Sequence, residues 1–109
     1  MTTIQLTTWD RVTIANVIGA LQGDWKLTRK AGKILDVIEL THDEREAVNF
    51  RYDASVKCAQ WDDKDRKWDV TISDPELLLL LRETLRAKDD WMGVQHREVD
   101  ALYSALGIE

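Results

Sequence analysis

The amino-acid sequence predicts an α+β domain of the form ααα-ββ(β)-αα, with helices first, a small antiparallel β-hairpin or sheet in the middle, and two C-terminal helices. Three observations predict it. Apolar residues recur at helical spacing up to Leu40 and again after Pro75. Between those stretches, aromatic and β-branched residues cluster and partly alternate with polar ones. Residues that cap helices stand at the junctions, and no repeat, Ser/Gly linker or low-complexity tract divides the 109 residues into more than a single domain.

The first helix is predicted over about 8–21. Thr7 followed three residues later by Asp10 has the form of a capping box. Trp9, Val12, Ile14, Ala15, Val17, Ile18, Ala20 and Leu21 make this helix apolar nearly all round, with Thr13 and Asn16 as a thin polar stripe. A helix of that kind lies at the centre of a core or under a partner. Gly23 ends it. A second helix is predicted between Asp24 and Leu40, where Leu27, Ala31, Ile34, Leu35 and Ile38 form one 3.6-residue stripe. Thr41-His42-Asp43-Glu44 is a capping box and starts a short helix that ends near Asn49. Strands are predicted at 50–52, 56–61 and 68–72, the last two joined by the charged loop at 62–67. Across that loop either Trp61 faces Trp68 or Gln60 does; the pattern leaves both registers open. Asp74-Pro75 opens the fourth helix, with proline suited to the first helical position. Leu77, Leu78, Leu81 and Leu85 share its inner face with Leu80 at the flank, while Leu79 falls on the wet side among Arg82, Glu83 and Arg86. A turn at 89–93 leads to a last helix over about 94–106, with Val99, Leu102 and Leu106 inward and Gly107 as its stop.

Composition narrows the function classes. Hydrophobic residues are 44% and charged residues 32%, the profile of a globular chain that folds. Twenty acids against fifteen bases give a net charge of −5, which disfavours bulk binding to nucleic acid or anionic membrane. No apolar run approaches the ~18 residues of a membrane span, and the N-terminal residues lack the pattern of a signal peptide. The expected compartment is the cytoplasm.

No constellation in the sequence carries chemistry. Cys58, the single cysteine, excludes an internal disulfide and reads as a small buried hydrophobe in a strand. His42 and His96 read as surface histidines, and no His, Cys, Asp and Glu set has metal-ligand spacing. His96-Arg97-Glu98 matches half of a zinc-deaminase motif, without the P-C-x-x-C half. Counted from Asp63 as an EF-hand loop, the sixth and twelfth positions are Trp68 and Asp74, where glycine and glutamate are needed. Nucleophile-elbow, P-loop and dinucleotide-binding motifs are absent. The expectation is a non-enzymatic protein with no metal and no cofactor.

Two groups stand out as binding candidates. Lys26, Arg29, Lys30 and Lys33 form a candidate anion or phosphate patch. If their helix starts at Thr28, two cations occupy the first turn, where an anion would explain them. If it starts at Asp24, they face water along its middle, and this is the preferred reading. The second group is a candidate partner-binding surface: Trp61 and Trp68 flanking Asp62, Asp63 and Asp65, with Leu79 as a separate exposed apolar point.

From Leu6 to Ile108 the chain resembles a family of small bacteriophage-encoded proteins without an assigned activity. Leu6-Thr7 with Asp10-Arg11, the basic amphipathic stretch from Leu27 to Leu35, Glu39-Leu40-Thr41 with Asp43-Glu44, and Val48-Asn49-Phe50 carry the likeness. The Trp61 hairpin, the strand from Val70 to Ser73 and Leu102-Tyr103 continue it. The resemblance implies a phage origin and the host cell cytoplasm, and it supplies no catalytic residues.

The expected function is therefore that of a small acidic phage accessory protein acting through protein–protein binding to a host or viral partner. A homodimer is also expected, from apolar surface at Leu79 and on the far side of the first helix. The alternative is a winged-helix-like nucleic-acid-binding protein. Its recognition helix, 42–49, would carry Asp43, Glu44 and Glu46 against Arg45 alone, so binding would be weak.

Overall fold

Alternation begins earlier than the sequence predicts. The structure, a computed structural model, describes residues 2–108, and Thr2–Thr7 form a strand, β1. Ile4 and Leu6 are buried while Thr3 and Gln5 face outward. The elements that follow are α1 (Thr8–Gly19), α2 (Trp25–Ile38), α3 (His42–Ala47), β2 (Arg51–Asp53), β3 (Cys58–Gln60), β4 (Lys67–Ile72), α4 (Pro75–Ala87), a 3-10 turn at Gly93–Gln95, and α5 (His96–Leu106). The α+β class holds; the helices-first layout does not. A strand of six residues with two inward positions gives little local signal, and β1 is ordered by a partner some sixty residues away.

That partner is β4. The two pair antiparallel from Thr2 opposite Ile72 to Thr7 opposite Lys67, so Leu6 lies across from Trp68. The expected hairpin between 56–61 and 68–72 therefore does not form, and neither Trp61 nor Gln60 faces Trp68. Instead β3 pairs with β2 in a second two-stranded sheet, Arg51 opposite Gln60 and Asp53 opposite Cys58. The chain after β3 is pinned away from β4. The Asp62 N–H donates to the Val48 carbonyl at 2.7 Å, and Asn49 and Arg51 donate to the Asp62 carboxylate at 3.1 and 3.2 Å. Trp61 stacks on Phe50, ring centres 5.9 Å apart and planes 8° from parallel. Among the described residues no other element packs extensively on the second sheet, and Tyr52, Val56 and Cys58 are exposed. The expectation of a buried Cys58 fails for that reason.

The helix ends fall where the caps place them. Thr7 and Asp10 satisfy each other's backbone N–H groups at 3.1 and 3.0 Å. Thr41 and Glu44 do the same at the start of α3. Asp24 Oδ1 accepts from the Leu27 N–H, which fixes the start of α2 at Trp25 and removes the Thr28 alternative. Gly107 closes α5 at φ 70°, the left-handed region that glycine enters without strain.

The core lies between the β1–β4 sheet and helices α1, α2, α4 and α5. Leu6, Ile14, Ile18, Ile34, Ile38, Leu81, Leu85, Leu102 and Leu106 are fully buried, each such side chain contributing about 1.5–3 kcal/mol. The nearly all-apolar α1 is thus central, packed on β1, α2, α4 and α5. Leu79 is exposed, as its helical position predicts. Among the described residues, no helix is long and apolar enough to cross a membrane.

One buried charge ties the first three helices together. Arg11 is 4% exposed, and its guanidinium donates to the Ile38 and Glu39 carbonyls at the end of α2, at 2.8 and 2.9 Å. Its other two bonds reach both oxygens of Glu44, at 2.9 and 3.1 Å. These bonds hold the Glu44 carboxyl below its ordinary pKa.

Candidate functional site

The first turn of α1 presents Trp9 and Asp10 to a cleft of about 460 Å³ whose other walls are Trp61, the loop after it, and the outer face of α5. Each wall is placed by a local feature. The Thr7–Asp10 box orients the first turn of α1, with Asp10 Oδ2 accepting from the Thr7 N–H. Stacking on Phe50 sets the Trp61 ring, and the anchored Asp62 aims the loop that carries Lys64 and Asp65. Arg97, Glu98 and Ala101 come from α5. The cleft thus has two tryptophans, three carboxylates (Asp10, Asp65, Glu98) and two cations (Lys64, Arg97). Its size falls within the range of ligand-binding pockets.

Asp10 is 5% exposed, and burial pushes its carboxyl above the ordinary carboxylate pKa, against the lowering effect of its bonds with Thr7. Asp10 Oδ2 serves the helix cap, and no histidine or cysteine lines the cleft. Among the described residues no group of three or more His, Cys, Asp or Glu side chains is arranged to hold a metal ion.

The tryptophans differ in what covers them. Arg29 lies 5.2 Å from the Trp25 ring centre, Lys64 4.7 Å from Trp61, and Lys88 4.8 Å from Trp91. Trp68 has Arg66 at 4.3 Å and Arg11 at 5.6 Å from its ring centre. Among the described residues, Trp9 alone has no cation over its ring.

Of the candidate partner-binding residues, the structure brings Trp61 and Asp65 into this cleft. Trp68 belongs elsewhere: its indole N–H donates to the buried Thr8 hydroxyl at 3.0 Å, which makes it part of the framework. Asp62 is occupied by Asn49 and Arg51, whose bonds hold its carboxyl below the ordinary value. Asp63, at φ 54°, sits exposed at the loop bend. Leu79 lies in a separate groove between α2 and α4, where Lys26 and Lys30 join it. Arg29 is spent on Trp25 and Lys33 faces water, so the four cations of the basic patch do not converge on one point. Sequence reasoning missed Trp9, Asp10 and Glu98 as cleft residues. Trp9 and Asp10 sit in a helix that reads as core, and Glu98 is brought to them by the packing of α5 on β1 and α1. Comparison with protein-family models, curated proteins and solved structures gives no match to this chain.

Proposed function

We propose that this protein is a non-enzymatic binding protein that captures a basic segment of a partner protein, seating an arginine or lysine side chain on the Trp9 ring. One observation carries the proposal: the tryptophan without a cation of its own lies in a cleft where Asp10, Asp65 and Glu98 outnumber Lys64 and Arg97. A cation over a tryptophan face gains about 0.5–2 kcal/mol, more as it is desolvated, and neighbouring carboxylates add to it. The net charge of −5 favours encounter with a basic partner. The same charge disfavours duplex DNA, as does α3, six residues long with Glu44 committed to Arg11 and Asp43 and Glu46 facing water. The resemblance to small phage-encoded proteins belongs to this proposal too, and it puts the partner in the cytoplasm of an infected host.

Titration with a short arginine-containing peptide at physiological salt, read by tryptophan fluorescence and calorimetry, tests the proposal. Trp9→Leu should abolish most of the binding, and the pair Asp65→Asn with Glu98→Gln should weaken it. Removing the same two charges from α3, by Asp43→Asn with Glu46→Gln, should leave it intact. Equal loss in both charge-removed variants, or undiminished binding in Trp9→Leu, would show attraction to the acidic chain as a whole and sink the proposal.

A further inference from the structure

The groove between α2 and α4 is a second surface, distinct from the aromatic cleft, and its walls carry opposite charge. Lys26 and Lys30 line the α2 side with Asp24 at its N-terminal end, Glu76 and Glu83 the α4 side, and Leu27, Leu79 and Leu80 the apolar floor and rim. We infer that this groove is the two-fold interface of a homodimer, in which the basic wall of each copy meets the acidic wall of the other.

Symmetry singles out a second copy as the occupant. When a two-fold axis runs along a groove, each wall of one copy lies against the opposite wall of its mate. Walls of one sign would repel under that operation; a basic wall and an acidic wall attract, twice over. The walls already meet once within a single copy, where Lys30 Nζ lies 3.5 Å from Glu76 Oε2, with the glutamate the more exposed of the two. Lys26, Lys30, Lys33 and Val37 recur at spacings of four, three and four, so the basic wall continues along α2 as one stripe ending on an exposed apolar residue.

The chain carries more surface than a compact monomer of its mass. The chain exposes 7267 Å², whereas a monomeric protein of 12.6 kDa exposes about 6,200 Å². The excess, roughly 1,000 Å², exceeds the roughly 800 Å² per partner that a stable interface covers. The β2–β3 arm supplies part of that excess. Leu79 is 55% exposed at the groove and Val37 39% at the end of the α2 stripe, apolar surface of the kind that an interface core buries.

Charge swapping tests the inference. Light scattering and sedimentation of the full chain should return twice the 12.6 kDa chain mass. Lys26→Glu with Lys30→Glu makes both walls acidic; Glu76→Lys with Glu83→Lys makes both basic. Each variant alone should associate about a hundredfold more weakly, because like charges then face each other across the interface. Mixed in equal amounts, the two variants should form a heterodimer. Circular dichroism checks each fold, and Leu79→Lys, at an exposed position, should also give a folded monomer if either charge variant misfolds. A wild-type monomer at high concentration overturns the inference. So does a dimer that survives in both charge variants and in Leu79→Lys, because its interface would lie elsewhere.

Discussion

Replacing Arg11 by methionine keeps much of its length and removes its charge and all five N–H donors. The Ile38 and Glu39 carbonyls then lose their partner at the end of α2, and Glu44 loses both its bonds and its counter-charge. Removing one member of a buried ion pair costs about 3–5 kcal/mol, since the other charge stays uncompensated. The Glu44 side chain is 25% exposed, so water recovers part of its solvation, which places the expected cost near the lower limit, about 3 kcal/mol. Against a total stability of roughly 5–15 kcal/mol that is a large fraction. Urea titration reads the cost directly, and the thermal midpoint should fall by roughly 12–24 °C. Glu44→Gln should cost less, and a double-mutant cycle of Arg11→Met with Glu44→Met should show strong coupling. An Arg11→Met protein melting within about 3 °C of wild type would refute the role given to this side chain.

The buried Asp10 carboxyl acts in the opposite sense. Its folded pKa is raised by burial, so its contribution is present at low pH, below the unfolded pKa, and is lost as pH rises through the folded value. Asp10→Asn, which keeps an acceptor for the Thr7 N–H, should therefore be more stable than wild type at neutral pH, with the difference closing on acidification. A pH series of urea midpoints checks this, and a gap that widens toward low pH would contradict it. Glu44, lowered chiefly by its bonds to Arg11, contributes stability above the ordinary carboxylate range that is lost as pH falls. Cys58, exposed on the bare second sheet, should react with a thiol reagent in the native protein as fast as in a small peptide. Protection until the protein unfolds would mean that something covers β3.

What was legible in the sequence was local. Thr7, Asp24, Thr41, Asp74-Pro75 and Gly107 each act within one turn of themselves, and each marks a helix end in the structure. The inner face of α4 and the exposure of Leu79 follow from spacing alone. Pairing between strands was not legible, because a short charged loop between two β-like segments looks like a hairpin. Here the bonds that decide the matter run from Asp62 back to Val48, Asn49 and Arg51. Arg11 gives no signal either, since its burial depends on two carbonyls at the far end of another helix. The aromatic cleft was half legible: Trp61 and Asp65 lie on a recognisable loop, whereas Trp9 and Asp10 are hidden in an apolar helix and Glu98 reaches them through tertiary packing.

The pairing of β1 with β4 also bears on the order in which the chain can be made and folded. Residues 2–7 leave the ribosome before their partners, which lie 60 to 70 positions later, from Lys67 opposite Thr7 to Ile72 opposite Thr2. At about 5–20 residues per second, that separation is a wait of roughly 3–14 s. A helix such as α1, capped by Thr7, forms and melts within about a microsecond, so it samples its fold many times before β4 exists. Through the wait, Ile4 and Leu6 and the unpaired backbone of β1 are open to any other extended chain, including the same segment on a neighbouring nascent copy. β1, synthesised well ahead of β4, is thus completed only once β4 emerges, and until then the nascent chain is most vulnerable to misassembly.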